Sequence, residues 1–146
     1  MINRYEREVF EIFNDFSKLT KKADKVEFLK VEGERTPAFK DVIRGIFDER
    51  LKFVLPEGKP PYSPNRPEST PSSLRRLHRQ FGDYVEGARN QSQPKFKIER
   101  SFIQLLESVH AEDALIVVDM INKKSPVKSL TKKLVQEAFP SMLPSA

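Results

Sequence analysis

The sequence predicts an all-α protein, a single small domain of six to seven short helices crossed by a proline-rich strap at about residues 56–71. Three observations predict it. Apolar residues recur at three- and four-residue steps over most of the chain, as one buried helix face requires. In the first such stretch the acids come early and the bases late, which suits the helix dipole. The one brief apolar run that could be a strand, Leu51-Lys-Phe-Val-Leu55, has no second run to pair with, and an isolated strand is not stable.

The elements follow in order. Residues 3–20 read as an amphipathic helix with Val9, Phe10, Ile12, Phe13, Phe16 and Leu19 on one face. A short second helix runs from about Asp24 to Val31, and Gly33 is expected to end it. Thr36-Pro37 opens the clearest helix, because Thr is a good N-cap and Pro is favoured at the first helical position. Its stripe is Phe39, Val42, Ile43, Ile46 and Phe47.

Six of the eleven prolines then fall in residues 56–71. Proline restricts itself and its predecessor to extended backbone, so helix is excluded there. A loop of that length in a compact domain is usually functional or a linker.

Helical spacing resumes after Ser73 with Leu74, Leu77, Phe81, Tyr84 and Val85, and ends at Gly87 and the polar run Asn90–Gln93. Pro94 starts a helix expected to bury Phe96, Phe102, Ile103, Leu105, Leu106 and Val109. His110 punctuates it, and Glu112 and Asp113 fall in the first turn of the next helix, where acids are favourable. Asn122–Ser129 is a basic turn. Ser129 or Thr131 caps a last helix through Leu134, Val135, Ala138 and Phe139, and Ser141–Ala146 is a tail.

Composition narrows the functional classes. The chain has 146 residues with 26 Lys+Arg, 21 Asp+Glu, two His and no Cys. The absence of Cys removes disulfides, thiolate metal sites and thiol nucleophiles. No apolar run approaches the roughly 18 residues of a membrane span, and the start lacks a signal-peptide pattern, so a soluble, unexported protein is expected. The net charge of +5 allows an acidic partner. It is unevenly placed: residues 1–35 carry eight bases and eight acids, residues 72–110 seven bases and four acids.

Several phrases carry a family resemblance: Arg44-Gly-Ile-Phe-Asp48, Leu55-Pro-Glu-Gly-Lys-Pro-Pro-Tyr62, Phe102-Ile-Gln-Leu-Leu-Glu-Ser-Val-His-Ala-Glu-Asp-Ala114 and Leu130-Thr-Lys-Lys-Leu-Val-Gln-Glu-Ala-Phe-Pro140. Together they resemble a family of small uncharacterised proteins of contractile-tailed bacteriophages, including cyanophages, over about residues 24–140. Family members often carry Pro where this chain has Ala111, and Ala is equally comfortable in a first helical turn. The resemblance implies a phage context and action in the host cytoplasm. It supplies no activity and no site residue.

The strongest functional signal in the residues themselves is Lys123, Lys124, Lys128, Lys132 and Lys133, five lysines within eleven residues and no acid between Asp119 and Glu137. They surround a turn and a helix start, where backbone N–H groups also attract anions. A solvated Lys-rich face is the plain alternative. No Asn/Gln/Arg set on that last helix could read base edges, so phosphate contact without sequence reading is expected. A second cluster, Arg75, Arg76 and Arg79 with His78, follows the strap and suits phosphate or carboxylate partners. Pairing along the helix, as in Arg79–Asp83, is its plain alternative.

The strap holds two Pro-x-x-Pro frames, Pro61–Pro64 and Pro64–Pro67, with Tyr62 and Arg66. That is the spacing of a polyproline ligand, so Pro61, Tyr62, Pro64 and Arg66 are candidate protein-docking residues. A stiff strap pinned by Tyr62 is the simpler expectation.

Enzyme readings are weaker. His110-Ala-Glu112 matches the His-x-Glu of zinc deaminases without the required Cys pair. Asp48 with Glu57 and Lys59 faintly resembles a nuclease set, but Pro56 and Gly58 make a turn where a rigid strand is needed. No catalytic residue, metal site or cofactor is expected. The expected function is a non-enzymatic accessory protein binding nucleic acid or a nucleoprotein machine through a basic helical face. The alternatives are a regulator docking on a host or phage enzyme, such as a polymerase or defence factor, and a virion component.

Overall fold

A computed structural model describes residues 8–55, 58–66, 70–86 and 94–142. Among them the chain forms α1 (Val9–Ser17), α2 (Lys22–Arg35), α3 (Pro37–Phe47), α4 (Leu74–Leu77), a 3₁₀ segment (His78–Tyr84), α5 (Lys95–Leu106), α6 (Ala111–Ile121) and α7 (Lys132–Ala138). The all-α expectation holds. Gly87, the run Asn90–Gln93, Pro67 and most of the tail lie outside the described residues, as does the expected first helix before residue 8.

The core forms where three apolar stripes meet. Val9, Ile12, Phe13 and Phe16 of α1 face Phe39, Val42, Ile43 and Ile46 of α3, and α6 adds Ala114, Val117 and Met120, all of them buried. The Phe13 and Phe39 rings sit 4.9 Å apart and tilted. Each such Phe contributes about 1.5–3 kcal/mol by leaving water. α2 packs on α7, and α5 on α6 and the 3₁₀ segment, where Tyr84 meets Phe102 edge-on at 5.2 Å. Burial pushes the Tyr84 hydroxyl up from its ordinary pKa, and the group lies 3.2 Å from the Ser101 hydroxyl.

Several expectations are corrected. Gly33 does not end α2, which continues to Arg35. A Cβ at Gly33 would lie 2.7 Å from Phe139 Cζ, so this glycine permits the close approach of α2 to the residue that follows α7. Phe96 is not in the core: it is 59% exposed, on the first turn of α5 and ahead of the buried Ile98. The 51–55 run does find a partner. Phe53 bridges antiparallel to Val85, with Val54 N–H donating to Tyr84 O at 2.8 Å and Glu86 N–H to Lys52 O at 2.7 Å. The partner was hidden because Val85 ends a helical pattern instead of beginning a strand pattern.

His110 is a helix cap, as expected. Its Nδ1 accepts from Glu112 N–H at 3.0 Å, and its ring stacks on Phe10 at 4.3 Å. Asp113 is more than helix punctuation. It is fully buried, and its Oδ1 accepts from Phe10 N–H at 2.7 Å, fixing α1 to α6.

The strap is pinned, as expected, by the Tyr62 ring against the core, and its hydrogen bonds come from the residues around Tyr62 and not from the Tyr62 hydroxyl. Ser63 N–H donates to Glu107 Oε2 at 2.8 Å, and Asn65 Nδ2 to the carbonyls of Glu107 and Val109 at 2.7 and 2.8 Å. Asn122 and Gly58 exchange two hydrogen bonds, tying the start of the strap to the end of α6.

Candidate functional site

The five-lysine segment does not present one face. α6 ends in a helix-terminating turn: Lys123 N–H donates to Met120 O at 3.1 Å and Lys124 N–H to Asp119 O at 2.8 Å, with Lys123 left-handed at φ 58°. This bends the Lys123 side chain inward. Its ammonium donates to Gly45 O at 2.6 Å and Asp48 O at 3.1 Å, and lies 5.0 Å from the centre of the Phe53 ring. Desolvation pulls its pKa below the ordinary lysine value. Lys123 is therefore a cap on the end of α3.

The other four divide. Lys124 is exposed beside Asp119, whose carboxyl burial pushes up and Lys124 pulls back. Lys128 is exposed. Lys132 pairs with Glu49 at 3.1 Å. Lys133 faces a different cavity, beside the start of α2.

In the arginine cluster, Arg75 is half-buried and already engaged, while Arg76 and Arg79 are exposed. His78 is half-buried beside them. Its Nδ1 meets Asp41 Oδ2 at 2.5 Å and tethers the 3₁₀ segment to α3.

The basic residues that do converge surround the end of α3. A surface cavity of about 740 Å³ is walled by Lys59, Asp119, Asn122, Lys123 and Lys124. It shares Lys123 with a second, of about 390 Å³, walled by Glu49, Leu51, Lys52 and Lys132. That one shares Leu51 with a third, of about 240 Å³, whose wall is mostly apolar (Leu51, Phe53, Phe81, Val85 and Met120) and also holds Asp41, Arg44, His78 and Arg79. Seven bases stand against three acids along this track, and two of the acids are held by Lys132 and His78. Clefts lined by one sign of charge focus the field and concentrate ions of the other sign.

Arg79 is linked to Lys123, Lys124 and Lys132 through Arg44, Lys52 and Lys59, none of which the sequence marks as part of a basic site. Arg44, Lys52 and Lys59 were each legible. Arg44 lies off the Val42–Ile43–Ile46 stripe, Lys52 alternates with Leu51 and Phe53, and Lys59 opens the strap. Nothing in the sequence joined them, because the joint is the bend of the chain after α3.

Of the docking residues, Pro61, Pro64 and Arg66 are exposed, while Tyr62 turns inward with its hydroxyl buried. Pro61 borders an apolar cavity of about 270 Å³ with Leu55, Pro60, Phe102, Ile103 and Ile121. Asp48 is unavailable for metal chemistry as it stands: it is buried, and Arg50 donates to it from its backbone N–H and Nε at 3.0 Å and from Nη2 at 2.9 Å, holding its pKa low. Glu57 lies outside the described residues. Among the described residues no cluster of three or more metal-ligating side chains is present, and no helix is long and apolar enough to cross a membrane.

Comparison with known families places residues 12–126 in a family of unknown function, DUF6433. The chain belongs to this family. No curated protein matches it. The family match begins inside α1 and ends in the basic turn after α6, so it takes in Lys59, Arg79, Lys123 and Lys124 and stops short of Lys132 and Lys133.

Proposed function

We propose that this DUF6433 protein is a phage-encoded, non-enzymatic accessory protein that binds the phosphate backbone of a nucleic acid, alone or within a nucleoprotein machine, in the host cytoplasm. The observation that supports it is the set of three neighbouring cavities around the end of α3, with Lys59, Lys124, Lys52, Arg44 and Arg79 on their walls. The phage context rests on the resemblance of the Leu-Pro-Glu-Gly and Glu-Ser-Val-His segments. Contact is mainly electrostatic, since five of the seven bases on these walls are lysines and the one amide, Asn122, is already bonded to Gly58.

The test is fluorescence anisotropy with a labelled DNA duplex and a labelled single strand of mixed sequence, titrated at low salt. Binding that weakens steeply with salt is expected. No binding at low salt to either ligand removes the reading.

A second reading, docking on a protein, is favoured by the exposed Phe96 and Leu115, 59% and 47% accessible, and by the apolar cavity beside Pro61. Affinity purification from infected cells compares the two. A protein partner retained after nuclease treatment, and lost in Phe96→Ser, supports docking. Recovery of nucleic acid, lost in Lys124→Glu, supports the first reading.

A further inference from the structure

The third cavity around the end of α3, of about 240 Å³, differs in kind from its two neighbours. It holds no lysine, where each of theirs holds three, so something other than charge shapes its interior. The apolar part of its wall lies inward: Phe81 and Met120 are buried, and Phe53 and Val85 are half-buried. Arg44 of α3 and Arg79 of the 3₁₀ segment line the same cavity and are exposed, so positive charge stands at the surface above an apolar interior. Neither arginine forms an ion pair among the described residues.

The acid in this wall, Asp41, is held by His78, whose Nδ1 lies 2.5 Å from Asp41 Oδ2. A carboxylate there repels an anion that enters the cavity and leaves the exposed arginines as the place for one. The occupant that fits is therefore a neutral, apolar-faced group carried next to an anion. The room is that of about eight waters at roughly 30 Å³ each, enough for one nucleobase and too little for a larger body. Every base has a face that packs on aromatic side chains, and Phe53 and Phe81 supply them here. Positive charge also continues beyond the cavity: through Leu51 it adjoins the one that holds Lys52 and Lys132, which an extended polyanion uses and a small acid does not.

We propose that this cavity takes one unstacked base of a single-stranded nucleic acid, with Arg44 and Arg79 on the phosphates beside it. The inference rests on the nucleic-acid reading and adds to it the form of nucleic acid that is bound. Bases of a duplex are stacked inward and must be extruded to enter a pocket, whereas those of a single strand are free to do so.

The full chain is titrated, by fluorescence anisotropy at low salt, with two labelled DNA strands of equal length. One has mixed sequence, and the other carries a stable abasic residue at every internal position, which keeps the phosphates and removes the bases. The base-bearing strand should bind about fivefold tighter or more. Gly82→Leu supplies the second measurement. Gly82 lines the cavity, has no left-handed φ, and a Cβ built on it meets nothing within 4 Å, so the larger side chain occupies open space without strain. This variant should keep the Tm of the parent and its affinity for the abasic strand, and lose the preference for bases.

Equal affinities of the parent for the two strands would overturn the base site and leave phosphate binding standing. A preference undiminished in Gly82→Leu would put the base contact elsewhere and overturn it as well. No binding of either strand removes the nucleic-acid reading and this inference with it.

Discussion

The Lys123 ammonium donates to the carbonyl oxygen of Gly45 at 2.6 Å, so the end of α6 caps the end of α3. Two helix C-termini, both carrying partial negative charge, are brought together by one cation. The left-handed backbone at residue 123, which usually favours glycine, is what aims the side chain.

This sets two effects against each other at one position. Lys123→Met keeps the backbone strain and loses the cap, so it should cost about 1–2 kcal/mol. Lys123→Gly also loses the cap but relieves a left-handed residue, worth roughly 1 kcal/mol. Glycine should therefore be the milder substitution, the reverse of the usual order in a helical protein. Urea unfolding midpoints of the two variants check it: a larger loss in Lys123→Gly would show that the left-handed backbone at residue 123 is not strained, and no loss in Lys123→Met would refute the capping role.

The same residue shows how far the sequence could be read. The helices were legible because their apolar stripes are regular, and Thr36-Pro37 marked a helix start without ambiguity. The basic site was half legible. Five consecutive-looking lysines are a real charge excess, but a turn decides which way each points, and a φ of 58° at residue 123 is invisible in a residue that is not glycine. Likewise Gly33 reads as a stop signal, when its lack of a Cβ serves Phe139 from across the molecule. Long-range contact, not local preference, decided both.

Helix α3 meets α6 at Gly45, where Met120 lies against the glycine. A Cβ there would fall 2.5 Å from Met120 Sδ and 2.7 Å from Met120 Cγ, and Met120 is fully buried, so its thioether must shift from its place in the core. Gly45→Ala should thus destabilise by about 1–3 kcal/mol despite the better helix propensity of Ala. Shortening the neighbour should help: Gly45→Ala with Met120→Ala is expected to lose less than the sum of the two single variants. A thermodynamic cycle from denaturant unfolding measures this coupling, and strict additivity would show that the contact is not the cause.

Stability should also depend on pH through Asp113. Burial first, then the hydrogen bond and charge of the neighbouring Glu8, push its pKa up to about 8. The unfolded value is about 3.9. The folded state therefore binds the proton more tightly, so this contribution is full below about pH 4 and is lost as pH rises through about 8. Asp48 has the opposite sign: Arg50 holds its pKa low, so its contribution is present above the unfolded value and is lost in acid. In Asp113→Asn the decline between pH 5 and 9 should flatten, while the acid limb remains. Unfolding midpoints across that range check it, and an unchanged alkaline decline in the variant would place the titrating group elsewhere.

The track around α3 makes a prediction that separates charge in place from charge in sum. Lys124→Glu, Lys123→Glu and Lys128→Glu each change net charge equally, and a protein acting only through its +5 would respond equally to all three. The structure ranks them. Lys124 stands on the track with an exposed side chain, so its reversal should weaken DNA binding strongly and lower the slope of log K against log salt by about 1 or more. Lys128 lines none of the three cavities, so its reversal should act only through weak, screened repulsion. Lys123 should lose stability before it loses affinity, because its ammonium is committed to Gly45 and Asp48. Arg79→Glu, which lies far from Lys124 in sequence but on the same track, should match Lys124→Glu. Anisotropy titrations at three salt concentrations, paired with unfolding curves, read all four. Equal losses across the four would reduce the interaction to net charge and remove the track as its site.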